Sequence, residues 1–135
     1  MADSIVTMRA TLVMYLSGDP QMPIPEQAPA AIERIEAQLT SLRGRRCYGV
    51  VVDGEYRACV TILADDDPAV LGLLAWNLPG GRYVRRKFTD FLSQVHVIPV
   101  VFEELMQRDD YDPSRPNLEY YRSHSELFLM VPVKQ

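Results

Sequence analysis

Asn117-Leu118-Glu119-Tyr120-Tyr121-Arg122-Ser123-His124-Ser125-Glu126-Leu127-Phe128-Leu129-Met130-Val131-Pro132-Val133 is the stretch from which the fold is read. Its alternation predicts two strands joined by a polar turn at Arg122 to Ser125. On the first strand Leu118 and Tyr120 point one way, Glu119 and Tyr121 the other. On the second, Leu127, Leu129 and Val131 share a face opposite Glu126, Phe128 and Met130. The leading set of each strand suits a covered core. The remaining set, Glu119, Tyr121, Glu126, Phe128 and Met130, mixes carboxylates with aromatics, as the wall of a ligand groove does.

The chain around this stretch has 135 residues, enough for one domain or two small halves sharing a core. Hydrophobic residues make up 47% and charged residues 24%, the balance of an ordinary globular protein. A formal net charge of −4 argues against direct nucleic-acid binding, which is built from clustered Lys and Arg. The only basic run, Arg82, Arg85, Arg86 and Lys87, reads as a solvated strand face. No apolar run could span a bilayer, and no secretory leader pattern opens the chain. Cys47 and Cys59 form no disulfide framework or metal motif, so a cytoplasmic protein with reduced, packed thiols is expected.

Taken in order, Ile5 to Leu16 reads as one strand, closed by the turn residues Ser17-Gly18-Asp19-Pro20. A proline-rich connection leads to a helix over Pro29 to Arg43, with Ile32, Ile35, Leu39 and Leu42 on its apolar face and Gly44 as its stop. Cys47 to Val52 and Tyr56 to Leu63 flank Asp53-Gly54, a strong hairpin signal. Asp65-Asp66-Asp67-Pro68 lacks the ligand spacing of a Ca²⁺ loop and reads as a solvated turn. Ala69 to Pro79, carrying Trp76, reads as an apolar connection, and Arg82 to Phe88 as a strand. Thr89 to Ile98 has no clean period and reads as mostly irregular, with room for a helical turn. Pro99 starts a helix with Ile98, Val101, Phe102 and Leu105 as its stripe, and Asp109 to Asn117 is a loop.

The two halves match. Ala28-Pro29 aligns with Ile98-Pro99 at an offset of 70 (99 − 29), which brings Gly49 onto Glu119 and Cys59 onto Leu129, with a different offset expected for the leading strands. Each half, about residues 4–64 and 80–134, reads as strand, helix, strand, strand. The predicted fold class is α+β: two pseudo-symmetric repeats forming a curved antiparallel sheet, helices on the outer side, and a central ligand groove.

Several fragments resemble the GyrI-like small-molecule-binding domains, related to the effector-binding domains of AraC-type and MerR-type regulators. They are Leu78-Pro79-Gly80-Gly81-Arg82-Tyr83, Ile98-Pro99 with Phe102 and Leu105, Tyr111-Asp112-Pro113, Leu118-Glu119-Tyr120-Tyr121, Glu126 to Val133, Tyr48-Gly49-Val50 and Ala58 to Ile62. The resemblance implies a U-shaped sheet whose groove holds flat or cationic apolar molecules against a glutamate ringed by aromatics. By position that glutamate is Glu119, with Tyr121 and Phe128 beside it. The family's glycine-proline-tyrosine segment is absent at Phe88-Thr89-Asp90. No DNA-binding helix pair precedes the domain, which is expected to act as a stand-alone module.

A groove carboxylate needs a partner, because unpaired burial favours the neutral acid and a bound cation restores the charge. The expected ligand-binding set is Glu119, Tyr121, Phe128, Trp76, Glu126, Met130 and Tyr83. The competing reading of Glu119 is a strand carboxylate paired with Arg82 or Arg85. Glu126 reads better as a structural charge beside the turn, Trp76 equally as core or lid, and Tyr83 and Tyr120 as packing residues. His96 and His124 lack a third ligand, so neither metal nor cofactor is expected. The resemblance implies three functions: a sensor or sequestering protein for hydrophobic, aromatic or cationic compounds; a hydrolase opening cyclopropane-bearing DNA-alkylating natural products, with Glu119 as base and Tyr121 as donor; and a protein-binding gyrase antagonist, for which the sequence has no feature of its own. The oligomeric state is left open.

Overall fold

Asp53 and Gly54 both adopt positive φ, 52° and 79°, and close the hairpin that their sequence announces. Around it a computed structural model describes residues 3–39, 41–123 and 125–135. The elements are β1 (Ser4–Met8), β2 (Thr11–Ser17), α1 (Ile24–Gln38), β3 (Cys47–Val52), β4 (Glu55–Thr61), β5 (Leu74–Leu78), β6 (Gly81–Thr89), α2 (Ile98–Met106), β7 (Leu118–Tyr121) and β8 (Glu126–Pro132). The eight strands form one antiparallel sheet ordered β1-β6-β8-β7-β3-β4-β2-β5. The α+β class, the curved sheet and the two outer helices are as expected.

Several elements differ from expectation. The strand read over Ile5 to Leu16 is two strands. β1 pairs with β6 in the second half, and β2 pairs with β4 and β5 in the first. Gly80, between β5 and β6, lies against the Arg9–Ala10 backbone between β1 and β2, and a Cβ there would collide with it. The tract expected to be an apolar connection contains β5, so each half carries two strands before its helix. Helix α1 starts earlier and ends sooner than the Pro29 to Arg43 reading. Proline is accepted in its first turn, Pro29 is accommodated inside it, and Leu39 is already extended. Beyond it, the Arg43 amide donates to Ser41 Oγ, a local bond that competes with helix. The tract over Thr89 to Ile98 is irregular as expected, and the helical turn it had room for is two 3-10 turns, Phe91–Ser93 and Val95–Val97.

The repeat offset also needs correction. It is 70 for the leading strands, Ser4 to Leu74 and Thr11 to Gly81, and it changes at the closing strand instead. Val51 pairs with Tyr56, whereas Tyr121 pairs with Leu127, so the second turn is one residue longer. Cys59 therefore corresponds to Met130 rather than Leu129. One residue reverses every side chain of a strand. Leu118, Tyr120, Phe128 and Met130 consequently share one face, and Glu119, Tyr121, Leu127 and Leu129 the other.

The two faces are packed differently. On the inner face of the curl, side chains from all eight strands meet in one cluster, including Tyr15, Tyr48, Tyr83, Leu118, Phe128 and Met130. The inside of the half-barrel is filled by the protein itself. On the outer face the core splits in two. α1 covers Met14, Tyr56, Ala58 and Val60 through Ala28, Ala31 and Ile35. α2 covers Val84, Leu127, Leu129 and Val131 through Ile98, Val101 and Leu105. β3 and β7 run between these clusters, so the expectation that Glu119 faces a hollow away from the helices is overturned: it lies on the helix side, where the hollows are, and the inside of the curl is plugged.

Candidate functional site

The repeat offset and the strand register intersect at one place. Gly49 and Glu119 are equivalent by the repeat and are also paired directly across β3 and β7. The pseudo-twofold axis therefore runs between them, and only one of the two carries a side chain. A Cβ on Gly49 would overlap both the Tyr56 hydroxyl and Glu119 Oε1. The absent side chain is the room that the carboxylate and its donor occupy.

Glu119 Oε1 accepts hydrogen bonds from Tyr56 Oη at 2.9 Å and from Tyr121 Oη at 2.6 Å. Tyr56 is delivered by the Asp53-Gly54 hairpin, which sets it opposite Val51 on the helix face. Tyr121 is steadied by the edge of Phe91, 5.4 Å between centroids at 67°. Glu119 is half-buried at the edge of a hollow, and this removal from water pushes its carboxyl above its usual range, with the two hydroxyl donors only partly opposing it. Burial, followed by the neighbouring carboxylate, drives Tyr56 and Tyr121 well above the usual phenol range, so both remain donors at neutral pH. Among the described residues no Lys, Arg or His forms an ion pair with Glu119.

Two hollows flank this cluster on the helix side. The larger, about 400 Å³, lies between α1 and the turns before α2, over Cys47 and Tyr121, walled by Ile32, Leu42, Phe91 and Ile98 with Glu33 and Glu36 at the wall. The smaller, about 330 Å³, lies over Gly49 and Glu119, walled by Tyr56, Phe102, Tyr111 and Asn117. Both are within the size range of small-molecule sites.

Of the expected site residues, Glu119 and Tyr121 meet here. Phe128, Met130, Tyr83 and Trp76 do not, because the longer turn and the register place them on the opposite, inner face. Phe128 stacks with Tyr120 under the Arg85 guanidinium, 4.4 Å away. Trp76 meets the Tyr15 ring edge-on, and Arg57 lies over both rings at 4.6 and 4.8 Å. Tyr83 is fully buried and donates to the Pro79 carbonyl. Glu126 pairs with Lys87 at 2.5 Å, which holds its carboxyl below the usual range, the structural role that its place beside the turn suggested. Glu119 does not pair with Arg82 or Arg85. The basic run is dispersed, Arg86 pairing with Asp3 and Glu104.

Two residues of this cluster escaped the sequence reading, Tyr56 and Phe91. Tyr56 was within reach: the hairpin register puts it on the Gly49 face, and the repeat puts Gly49 opposite Glu119. Phe91 had no such signal. Asp66 is not solvated, because Arg45 grips it with both terminal nitrogens and lowers its pKa to about 2. His96 stands in a 3-10 turn, His124 lies outside the described residues, and no metal-binding group converges among the described residues. Among these, no helix is long and apolar enough to cross a membrane.

No protein-family profile matches the sequence, nor does any curated protein. Solved structures do match in fold. The integron cassette protein VCH_CASS2, from the mobile metagenome of Vibrio cholerae, superposes with a TM-score of 0.70 at 16% identity, covering 99% of this chain and 97% of that one. SAV2435, solved bound to tetraphenylphosphonium, gives 0.62 at 13% identity over 99% and 94%. A putative transcription regulation protein from Staphylococcus aureus MU50 gives 0.61 at 11% identity over 100% and 99%. At these identities the likeness is one of fold.

Proposed function

We propose that this protein binds hydrophobic, aromatic, cationic small molecules in the outer groove between its helices, as a cytosolic sensor or sequestering protein of GyrI-like type. One observation carries the reading. A carboxylate in the wall of the groove is pushed toward its neutral form by burial, while among the described residues its hydrogen bonds come from two uncharged hydroxyls. A cation entering the groove supplies the missing charge; Tyr56, Phe102 and Tyr111 wall the hollow that Glu119 lines, Tyr121 and Phe91 line the neighbouring one, and these rings replace the Trp76 and Phe128 of the sequence reading. Each well-placed ring is worth about 0.5–2 kcal/mol of cation–π attraction. The fold it shares with a protein solved around a phosphonium cation supports this choice of ligand class.

The test is a pair of ligands of like shape, methyltriphenylphosphonium and the neutral triphenylphosphine oxide, titrated by calorimetry. The wild-type protein is expected to prefer the cation and Glu119→Gln to lose that preference. Equal losses for both ligands would sink the reading.

The raised carboxyl also suits a general base, which keeps the hydrolase reading in play. Tyr121 points its hydroxyl at Glu119, so in that reading it orients the base before it reaches any substrate oxygen. Ring opening of a cyclopropane-bearing indole, abolished in Glu119→Gln while binding survives, would establish turnover; stoichiometric binding without product would exclude it.

A further inference from the structure

Resting on the ligand-binding role of Glu119 above, we propose that the charged head of the ligand is an ammonium that retains at least one N–H, and that this head sits in the smaller of the two hollows. The two oxygens of Glu119 are not equivalent. Oε1 is occupied by both tyrosine hydroxyls, whereas Oε2 takes part in no hydrogen bond or ion pair among the described residues. Glu119 lines the 330 Å³ hollow and not the 400 Å³ one, which Tyr121 lines instead. Glu119 is thus the carboxylate that this hollow offers to a ligand, beside Gly49, Tyr56 and Phe102.

The chemistry of that hollow specifies a donor. Arg115 is the one cation in its wall among the described residues, and it is committed elsewhere. It donates to the carbonyls of Gly80, Arg82 and Val133 and pairs with Asp112. Asn117 in the same wall gives its amide hydrogen to Met106 Sδ and leaves Oδ1, closed from solvent, without a partner. Among the described residues, then, no charged donor in this wall is free for the unpaired Glu119 oxygen. A carboxylate oxygen is a directional acceptor, and a charged N–H···O⁻ bond is about twice as strong as a neutral one. A quaternary cation offers Glu119 charge but no hydrogen, whereas a protonated amine offers both.

The experiment compares N,N-dimethyl-(4-biphenylyl)methylamine, protonated at neutral pH, with its N-methyl quaternary salt. Their bodies are alike and their charges equal, and one methyl replaces the N–H. Calorimetric titration of the wild-type protein is expected to give about tenfold tighter binding of the amine, the effect of one charged hydrogen bond. Val51→Trp, at a partly exposed position in the wall of the smaller hollow, should abolish that preference. Leu92→Trp, at an exposed position in the wall of the larger hollow, should keep it. Equal affinities in the wild type, or a preference lost in Leu92→Trp and kept in Val51→Trp, overturn the inference. If both cations bind equally and both weaken in Glu119→Gln, only the inference about the head group falls. If neither binds, or Glu119→Gln changes nothing, the binding role itself falls with it.

Discussion

Gly49 and Glu119 face each other across the central strand pair, and the same two positions are exchanged by the internal repeat. A twofold-symmetric protein would carry two carboxylates or none at this point. This chain carries one, and the opposite position is bare enough to leave it room. Gly49→Ala should therefore act on the site from a strand where alanine is otherwise harmless. The methyl meets the Tyr56 hydroxyl and Glu119 Oε1, and overpacking of this kind costs about 1–3 kcal/mol. Urea unfolding should show that loss, with weaker methyltriphenylphosphonium binding. A variant of wild-type stability and affinity would mean the contact is relieved at no cost.

The two tyrosines share one oxygen, so their effects should not add. Tyr56→Phe and Tyr121→Phe each remove a hydrogen bond to the carboxylate, at about 1–3 kcal/mol for a charged partner. Each should also push the Glu119 carboxyl further up, because both bonds favour its ionised form. The double variant should differ from the sum of the single ones by more than about 0.5 kcal/mol. Strict additivity in a double-mutant cycle would show that the three groups do not act together.

Glu119 should make the unliganded protein less stable as pH rises. Its folded-state pKa lies above the ordinary 4.5, so its favourable contribution is fully present below the unfolded carboxyl range and is lost as pH passes through the raised folded value. Glu119→Gln should lack this fall, and the stability difference between the two proteins should drift in favour of the variant as pH increases from about 4 to about 8. Cation affinity of the wild type should rise over the same window, as the carboxylate forms. A pH-independent difference would show that the carboxyl is not perturbed.

Asp66 should behave in the opposite sense. Its folded pKa is depressed to about 2 by the Arg45 guanidinium and the Leu63 amide, so its contribution is present above the unfolded value of 3.8 and is lost as pH falls toward 2. The pair is nearly closed from solvent, with side chains 9% and 10% exposed. Asp66→Asn should cost about 1–3 kcal/mol at neutral pH and little at acid pH. An equal cost at both would assign the effect to shape rather than charge.

Phe128 tests which face of the sheet binds. It belongs to the filled inner cluster, so Phe128→Ala should cost about 3–5 kcal/mol of stability while leaving cation affinity of the folded protein unchanged. Loss of binding in a protein that remains folded would return the site to the inside of the curl.

The chain by itself determined the local elements whose chemistry is local. Asp53-Gly54 made a hairpin, Ile98-Pro99 opened a helix, and the matching halves required a two-unit sheet with Glu119 in a strand where its counterpart is glycine. It also placed Glu119 and Tyr121 on one side of β7, since alternation along a strand needs no partner. Which side of the molecule that is could not be read this way. It depends on how β7 pairs with β8, and one extra residue in the turn after Tyr121 exchanges the faces of the following strand, sending Phe128 and Met130 inward and Leu127 and Leu129 under α2. The crossing that splits the first strand between the halves, and the burial that raises the Glu119 carboxyl, likewise come from residues 60 or more positions away in the chain. Alternation is a property of neighbours in sequence, whereas face, register and desolvation are properties of neighbours in space, and only the folded sheet supplies those.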